Sequence, residues 1–233
     1  MGIKQKRETD LSMIATIHTD LPEKFGIPRQ SGLVEELRGQ IVFEPKYRNP
    51  DALRGIEGFS HLWLLWQFSQ AIRKDWQPMV RPPRLGGNTP MGVFATRSPF
   101  RPNPIGLSSV RLLGVEETED RGWVLNVGGV DLMDRTPIYD IKPYLPYTDC
   151  HTDATGGFAE PLRDYGLQVE FPSELAALLT EEQRSTAVAL LAQDPRPAYQ
   201  NDPLREYGVC FAGFNIRFTV EDGVLTVTGI DCP

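Results

Sequence analysis

Apolar and polar side chains alternate from Leu11 to Thr19 (LSMIATIHT), the period of a half-buried strand. Residues 20–32 (DLPEKFGIPRQSG) break that period with prolines and glycines and read as a long loop. Gly39 to Glu44 predicts a short strand, and Asn49 to Phe59 a single helical turn closed by glycines. His61 to Phe68 (HLWLLWQF) is an aromatic-rich apolar run that predicts a strand buried on both faces or nearly so. Within it, His61 reads as a hydrogen-bonded core histidine rather than a base. Further strands are expected at Gly92–Thr96, Leu107–Glu117 and Trp123–Val130, the last two joined by a polar turn holding Asp120, Arg121 and Gly122. Five or six strands with irregular connections and no helix between them imply antiparallel pairing, and closure into a barrel removes exposed edges.

Near residue 170 the composition changes. Ser173–Leu179 and Thr180–Gln193 are helical in pattern, with Thr180 and Gln183 spaced as a capping box. Val209–Val220 and Val224–Ile230 then flank Glu221-Asp222-Gly223 as a hairpin. The expected fold is mainly β: a single-sheet β-barrel domain over residues 1–165 and a small C-terminal α+β domain over 166–233.

Composition supports this. Hydrophobic residues make up 40% and charged residues 24%, enough for a buried core and too little charge for a disordered chain. Glycine (21) and proline (20) exceed average usage, which excludes an all-α fold. No run approaches the roughly 18 apolar residues of a membrane span, and MGIKQKRETD has no apolar core after its positive charges, so a cytoplasmic protein is expected. Three cysteines with no close pair supply neither a disulfide framework nor a four-cysteine zinc site.

A net charge of -7 argues against a polyanionic partner until its distribution is examined. Residues 72–111 hold seven basic side chains and one acidic one, an electrostatic footprint that a phosphate backbone would meet. Within it, Arg81 to Ser109 mounts Arg81, Arg84, Arg97 and Arg101 on backbone stiffened by proline and glycine, which lowers the entropy lost on gripping a ligand. Guanidinium forks suit phosphate and carboxylate. Pro102 and Pro104 hold Asn103, whose amide both donates and accepts.

Common catalytic signatures are missing: there is no GxGxxG, GxxxxGK[ST], HExxH or GxSxG. Gly128-Gly129-Val130-Asp131 follows a strand, but no helix follows it, so it reads as a strand end. Asp149, Cys150, His151 and Asp153 lie between Pro146 and Gly156-Gly157 and read as an exposed loop; no metal site is expected. In Asp131 to Tyr147 (DLMDRTPIYDIKPYLPY), Asp131, Asp134 and Asp140 alternate with Arg135, Lys142 and three tyrosines, acceptors beside aromatic surface that suit a flat ligand such as adenine. A salt bridge between Asp140 and Lys142 is an equally good reading of that pair.

The runs GVFATRSPFRPNP (Gly92 to Pro104), PRQ (Pro28 to Gln30), GFSHLWLLWQF (Gly58 to Phe68), RPPRLGGN (Arg81 to Asn88) and DLMDRTPIYDIKPY (Asp131 to Tyr144) resemble the TrmO family, also called TsaA-like or VirR-like. DPRPAYQ (Asp194 to Gln200) and YGVCFAGFNIRF (Tyr207 to Phe218) resemble the family's C-terminal domain, so the likeness spans nearly the full chain. It implies an S-adenosylmethionine-dependent tRNA methyltransferase that acts as a homodimer on a β-barrel instead of a Rossmann sheet. The implied target is N6 of the threonylcarbamoyl-modified adenosine at position 37, 3′ of the anticodon. The family's cofactor pocket maps here onto Pro28, Arg29 and Gln30, onto Ser69 and Gln70, onto Arg97 and Leu107, and onto Asp134, Arg135, Thr136 and Pro137. This chain departs from the family where Ser69 replaces a frequent Asp or His and where Arg135 replaces a frequent Gly.

A sulfonium carries its methyl group as a good electrophile, so the protein's main task is to hold N6 in line, which can supply roughly 7 to 11 kcal/mol. Asp134, or Tyr139 through its hydroxyl, is the candidate to orient the N6 hydrogen and help remove a proton. Arg84, Arg101, Asn103 and Lys142 are the candidate RNA contacts in a single-stranded anticodon loop, whose base splays out at modest cost. The alternative is a non-catalytic RNA-binding or ligand-sensing barrel using the same arginines.

Overall fold

The computed structural model describes residues 11–82, 85, 88–162, 165–196, 200 and 202–231. Eight strands make up the N-terminal part: β1 (Ala15–Thr19), β2 (Arg38–Phe43), β3 (His61–Gln67), β4 (Met79–Val80), β5 (Met91–Gly92), β6 (Ile105–Thr118), β7 (Gly122–Gly128) and β8 (Thr136–Pro143). Six of them close into a barrel in the order β1-β2-β7-β6-β3-β8, every pairing antiparallel. Period-two alternation drives this closure: Leu62, Leu64 and Trp66 of β3 point inward with Ile17, Ile41, Val110, Leu125 and Ile138.

The local expectations fail in instructive places. β3 is buried on one face and half-buried on the other, and His61 is exposed, its Nδ1 2.9 Å from the Ser60 hydroxyl. Gly92–Thr96 is not a strand beyond its first residue, because Val93–Ala95 form a 3-10 turn. Residues 49–59 hold two such turns, Pro50–Leu53 and Ile56–Gly58, the first capped by the Asn49 side chain on the Asp51 amide. β8 closes the barrel between β1 and β3, although its sequence reads as loop. Its Pro137 pairs with Thr16 of β1 and lies one residue beyond the end of the β3 pairing at Trp66↔Ile138, where no ladder partner needs its missing N–H.

The remaining residues form α1 (Pro146–Asp149), β9 (Gln168–Glu170), α2 (Ser173–Ala176), α3 (Glu181–Ala192), β10 (Tyr207–Phe211), β11 (Phe214–Glu221) and β12 (Val224–Asp231). Both halves of the Thr180–Gln183 capping box are made at α3, whereas α2 is a single turn. The sheet order is β10-β11-β12-β9, with β9 parallel to β12. Asp222 and Gly223, both at positive φ, make the expected β11–β12 turn. Ala212 and Gly213 make a second turn of the same kind that splits the long strand expected at Val209–Val220.

One apolar cluster runs from the barrel interior through Leu21, Val34 and Leu37 to Leu190, Leu191, Val209 and Phe218 of the second sheet. The loop after β1 is the joint. A Cβ on Gly26 would lie 2.1 Å from Val209 Cγ2, and the Ala212 amide donates to the Asp20 carbonyl at 3.1 Å. Gly26, at φ 89°, is therefore a residue at which a side chain has no room. Packed against β10 in this way, the loop delivers Pro28 to Gln30 to one mouth of the barrel.

Candidate active site

At that mouth lies a cavity of about 820 Å³. Its walls are Ile27 to Gln30, the end of β3 and the following turn (Trp66 to Arg73), the loop from Thr96 to Arg101, the start of β6 (Ile105 to Leu107), and Asp131, Met133 and Thr136.

The floor comes from strands. β3 and β6 pair with Trp66 opposite Gly106 and Leu64 opposite Ser108, which puts all four on the inner face. A Cβ on Gly106 would sit 2.2 Å from the Trp66 ring, so only glycine lets the indole lie flat across β6. The Trp66 Nε1–H donates to Ser108 Oγ at 2.9 Å, and the Ser108 hydroxyl donates to Asp131 Oδ1 at 2.6 Å. Burial pushes the Asp131 carboxyl up to about 6, although Ser108, the amides of Asp131 and Ser31, and the Arg97 charge all pull it down. The result is a carboxylate aimed into the cavity and poised near neutral pH.

The rim comes from loops. Arg97 Nη1 donates to Gln30 Oε1, and Gln30 Nε2 donates to the Arg29 carbonyl. Arg101 Nη1 donates to the Thr96 carbonyl at 3.0 Å and to Ser98 at 3.4 Å, tying its own loop together. The Arg73 guanidinium stacks 3.6 Å from the Phe100 ring centroid, and Trp66 meets Phe68 with centroids 4.3 Å apart. Flat aromatic walls, an enclosed carboxylate and rim arginines together suit a ligand with a planar ring, a positive centre and a carboxylate.

The family model described as tRNA-methyltransferase O N-terminal domain matches residues 16–150, and that of the TrmO C-terminal domain matches 164–232. This chain belongs to the TrmO family of tRNA methyltransferases. It is 44% identical over 94% of its length to the tRNA (adenine(37)-N6)-methyltransferase of Escherichia coli K12, covering 96% of that protein. It is 47% identical to the enzyme of the same name from Eikenella corrodens, over 74% of this chain and 97% of the relative. The crystal structure of TrmO from Pseudomonas aeruginosa superposes with a TM-score of 0.79 at 34% identity, covering 99% of this chain and 100% of that one.

Of the positions mapped from the TrmO pattern, Pro28, Arg29, Gln30, Ser69, Gln70, Arg97, Leu107 and Thr136 line the one cavity. Asp134, Arg135, Pro137 and Tyr139 are not among its lining residues. The Asp134 carboxylate accepts from the Thr19 amide at 3.2 Å and faces His18 Nδ1 at 3.4 Å, so it braces the turn before β8. Arg135 has φ 61° and a side chain 83% exposed, a left-handed backbone that glycine adopts without steric cost. Tyr139 is the residue skipped by the β3–β8 register, and burial pushes its phenol up.

Among the candidate RNA contacts, Arg101 lines the cavity, Asn103 is exposed, and Lys142 pairs with Asp140 at 2.8 Å. Arg84 lies outside the described residues. In the loop at 149–153, Asp149 accepts from Trp63 Nε1 at 2.8 Å and from the Leu145 amide at 2.9 Å; these bonds hold its carboxyl below the usual range. The sequence offers Asp131 only as one of three acceptors for a flat ligand, and it gives Trp66 and Ser108 no site role. The one signal that points to them is a glycine inside β6 facing a tryptophan on its neighbour.

Proposed function

We propose that this TrmO-family methyltransferase holds S-adenosylmethionine in the cavity over Asp131 and methylates N6 of adenosine 37 of tRNA, in its threonylcarbamoyl-modified form. The observation that carries the reading is convergence: residues 28–30, 69–70, 97, 107 and 136, far apart in sequence, meet around one enclosed carboxylate. The residues fit such a donor. Trp66, Phe68 and Phe100 offer ring surface, Asp131 favours a cationic centre, and Arg29 and Arg97 suit the carboxylate of an amino acid. When bound, the donor supplies an electrophilic methyl group on a sulfonium.

The chain's own work is positioning. A pre-set floor holds the reacting groups in line, and the Asp131 carboxylate is the acceptor inside the cavity for the N6 proton. Asp134 then serves through the turn that places Thr136. Arg101 and Asn103, in the basic 72–111 segment, meet the anticodon-loop backbone, with Lys142 nearby as a cation already shared with Asp140. A boundary near residue 165 assigns donor and chemistry to the barrel. The family likeness also supports a cytoplasmic homodimer, and no helix among the described residues is long and apolar enough to cross a membrane.

The test is incubation with isotope-labelled donor and tRNA from cells lacking this activity, followed by mass spectrometry of the nucleosides. Label on N6 of the threonylcarbamoyl-adenosine is expected. Transfer to any other position, or none, overturns the reading.

A further inference from the structure

Beyond α3 the chain turns through Asp194, whose φ of 53° lies in the left-handed region that usually falls to glycine at a helix end. Asp194 is held there by its side chain. Its carboxylate takes Arg196 Nε at 2.9 Å and Nη2 at 3.2 Å in a two-pronged pair, and the Tyr165 hydroxyl at 2.7 Å. Both members of the pair have side chains only 9% exposed. Burial alone would raise the Asp194 carboxyl, but Arg196 and Tyr165 outweigh it and leave the group below its ordinary range.

With the side chain locked, the backbone carbonyl of Asp194 faces the barrel and accepts from Arg29 Nη2 at 2.9 Å. From Arg29 the connections continue. Its carbonyl accepts from Gln30, and Gln30 accepts from Arg97. A turn belonging to the second sheet unit is thus bonded in series to three residues of the cavity rim. An exposed arginine donating to a neutral carbonyl adds little stability. What the bond does add is direction, because an arginine with a fixed guanidinium loses less freedom on meeting a ligand.

We propose that the Asp194–Arg196 turn is a positioning device for the donor site: by holding the Asp194 carbonyl on Arg29, it sets the Pro28–Gln30 segment and, through Gln30, Arg97. This role rests on the donor-site reading above. Part of the affinity for the methyl donor then comes from the C-terminal part of the chain, none of whose described residues lines the cavity wall.

Calorimetry of the full-length protein with S-adenosylmethionine tests it, comparing Asp194→Asn, Arg29→Ala and the double variant. Asparagine tolerates the left-handed backbone but cannot replace the charged pair. Asp194→Asn should weaken donor binding about tenfold in the unaltered background and have no further effect once Arg29 is alanine. In turnover assays its KM for the donor should rise while kcat at saturating donor stays near that of the unaltered protein. Should Asp194→Asn fail to fold, Tyr165→Phe removes one of the three bonds, with an expected loss of about threefold that again vanishes beside Arg29→Ala. Unchanged donor affinity in the variants, or losses that add in full to that of Arg29→Ala, would overturn the positioning role alone. No heat with the donor in the unaltered protein would overturn the donor-site reading, and this role with it.

Discussion

The floor of the cavity is made of strands, and its polar atoms are engaged with one another: Trp66 donates to Ser108, and Ser108 donates to Asp131. The rim is made of loops, and its arginines reach across gaps: Arg97 to Gln30, Arg29 to Asp194, Arg101 back onto its own turn. The floor is buried, with Ser108 1% and Trp66 7% exposed, so its geometry is set by barrel closure before any ligand arrives. The rim faces water, where a guanidinium is screened and its partners are exchangeable. A site divided in this way keeps orientation on the rigid side and charge matching on the adjustable side. Substitutions on the two sides should therefore differ in kind.

The largest effect is expected at Asp131. Asp131→Asn keeps an acceptor for Ser108 but removes the charge, and methyl transfer should fall by about 100-fold or more if this carboxylate takes the N6 proton. In the unaltered enzyme kcat/KM should rise with pH through about 6 and then level off, and the variant should lose that limb. Stability should move the opposite way. The folded chain holds the Asp131 proton more tightly than the unfolded chain, with a value near 6 against 3.8, so stability declines as pH climbs between them and is flat above. Asp131→Asn should then be more stable than the unaltered protein at pH 7 by up to about 3 kcal/mol, with the advantage gone near pH 4. Denaturant melts at the two pH values check this, and equal midpoint differences at both would show that the floor carboxylate is not held against its preference.

Gly106→Ala attacks the same floor by packing. The new methyl would meet the Trp66 indole at 2.2 to 2.6 Å, so the ring must shift. A loss of about 1–3 kcal/mol is expected, together with reduced donor affinity as the indole tilts from Ser108. Tryptophan fluorescence and thermal melts read both, and a variant as stable as the unaltered chain would mean that the Trp66 stacking is loose.

This division also explains what could be read from the chain. The strand His61–Gln67 shows as an aromatic-rich apolar run and Gly122–Gly128 as an apolar run after a polar turn; the barrel buries one face of the first and, at Val124 and Leu125, both faces of the second. β8 does not show, since Pro137, Asp140, Lys142 and Pro143 have the composition of a loop, and only the register around Pro137 makes them compatible with a ladder. The rim was legible because arginines fixed between prolines are conspicuous in sequence. The floor was not. Trp66 and Ser108 look like ordinary strand residues, and Asp131 is one acceptor among three, until strand pairing puts the first two on one inner face and the Ser108 hydroxyl reaches Asp131. Ala212-Gly213 hid a hairpin because alanine rarely takes the left-handed conformation that the turn requires.

On the rim, Arg101→Ala should lower tRNA affinity and reduce the dependence of log affinity on log salt by about 0.7, leaving donor binding nearly unchanged. Because Arg101 also ties Thr96 to Ser98, some loss from loop loosening is expected at every salt concentration. The slope separates the two contributions: loosening shifts the line, whereas a lost phosphate contact tilts it. A variant with the same slope and weaker donor binding would make Arg101, which lines the cavity, a contact of the donor and not of the RNA.

The smallest effect belongs to neither side, and for that reason it sharpens the boundary between them. Arg135 lies between Asp134 and Thr136, at φ 61°, with its side chain 83% exposed and only a long 3.6 Å approach to Asp134. An L-residue pays about 1 kcal/mol or more for that backbone, and glycine does not. Arg135→Gly should therefore stabilise the protein by less than about 1 kcal/mol, the strain relieved being partly offset by the greater freedom of glycine in the unfolded chain. The hydrogen bond that its backbone N–H donates to the Ile17 carbonyl, 2.9 Å long, survives the change, so the turn and Thr136 stay in place. Donor affinity should be unchanged, because the exposed side chain is not among those that line the cavity. A loss of donor binding in Arg135→Gly would show instead that the exposed guanidinium reaches the ligand, and would extend the rim to the turn before β8.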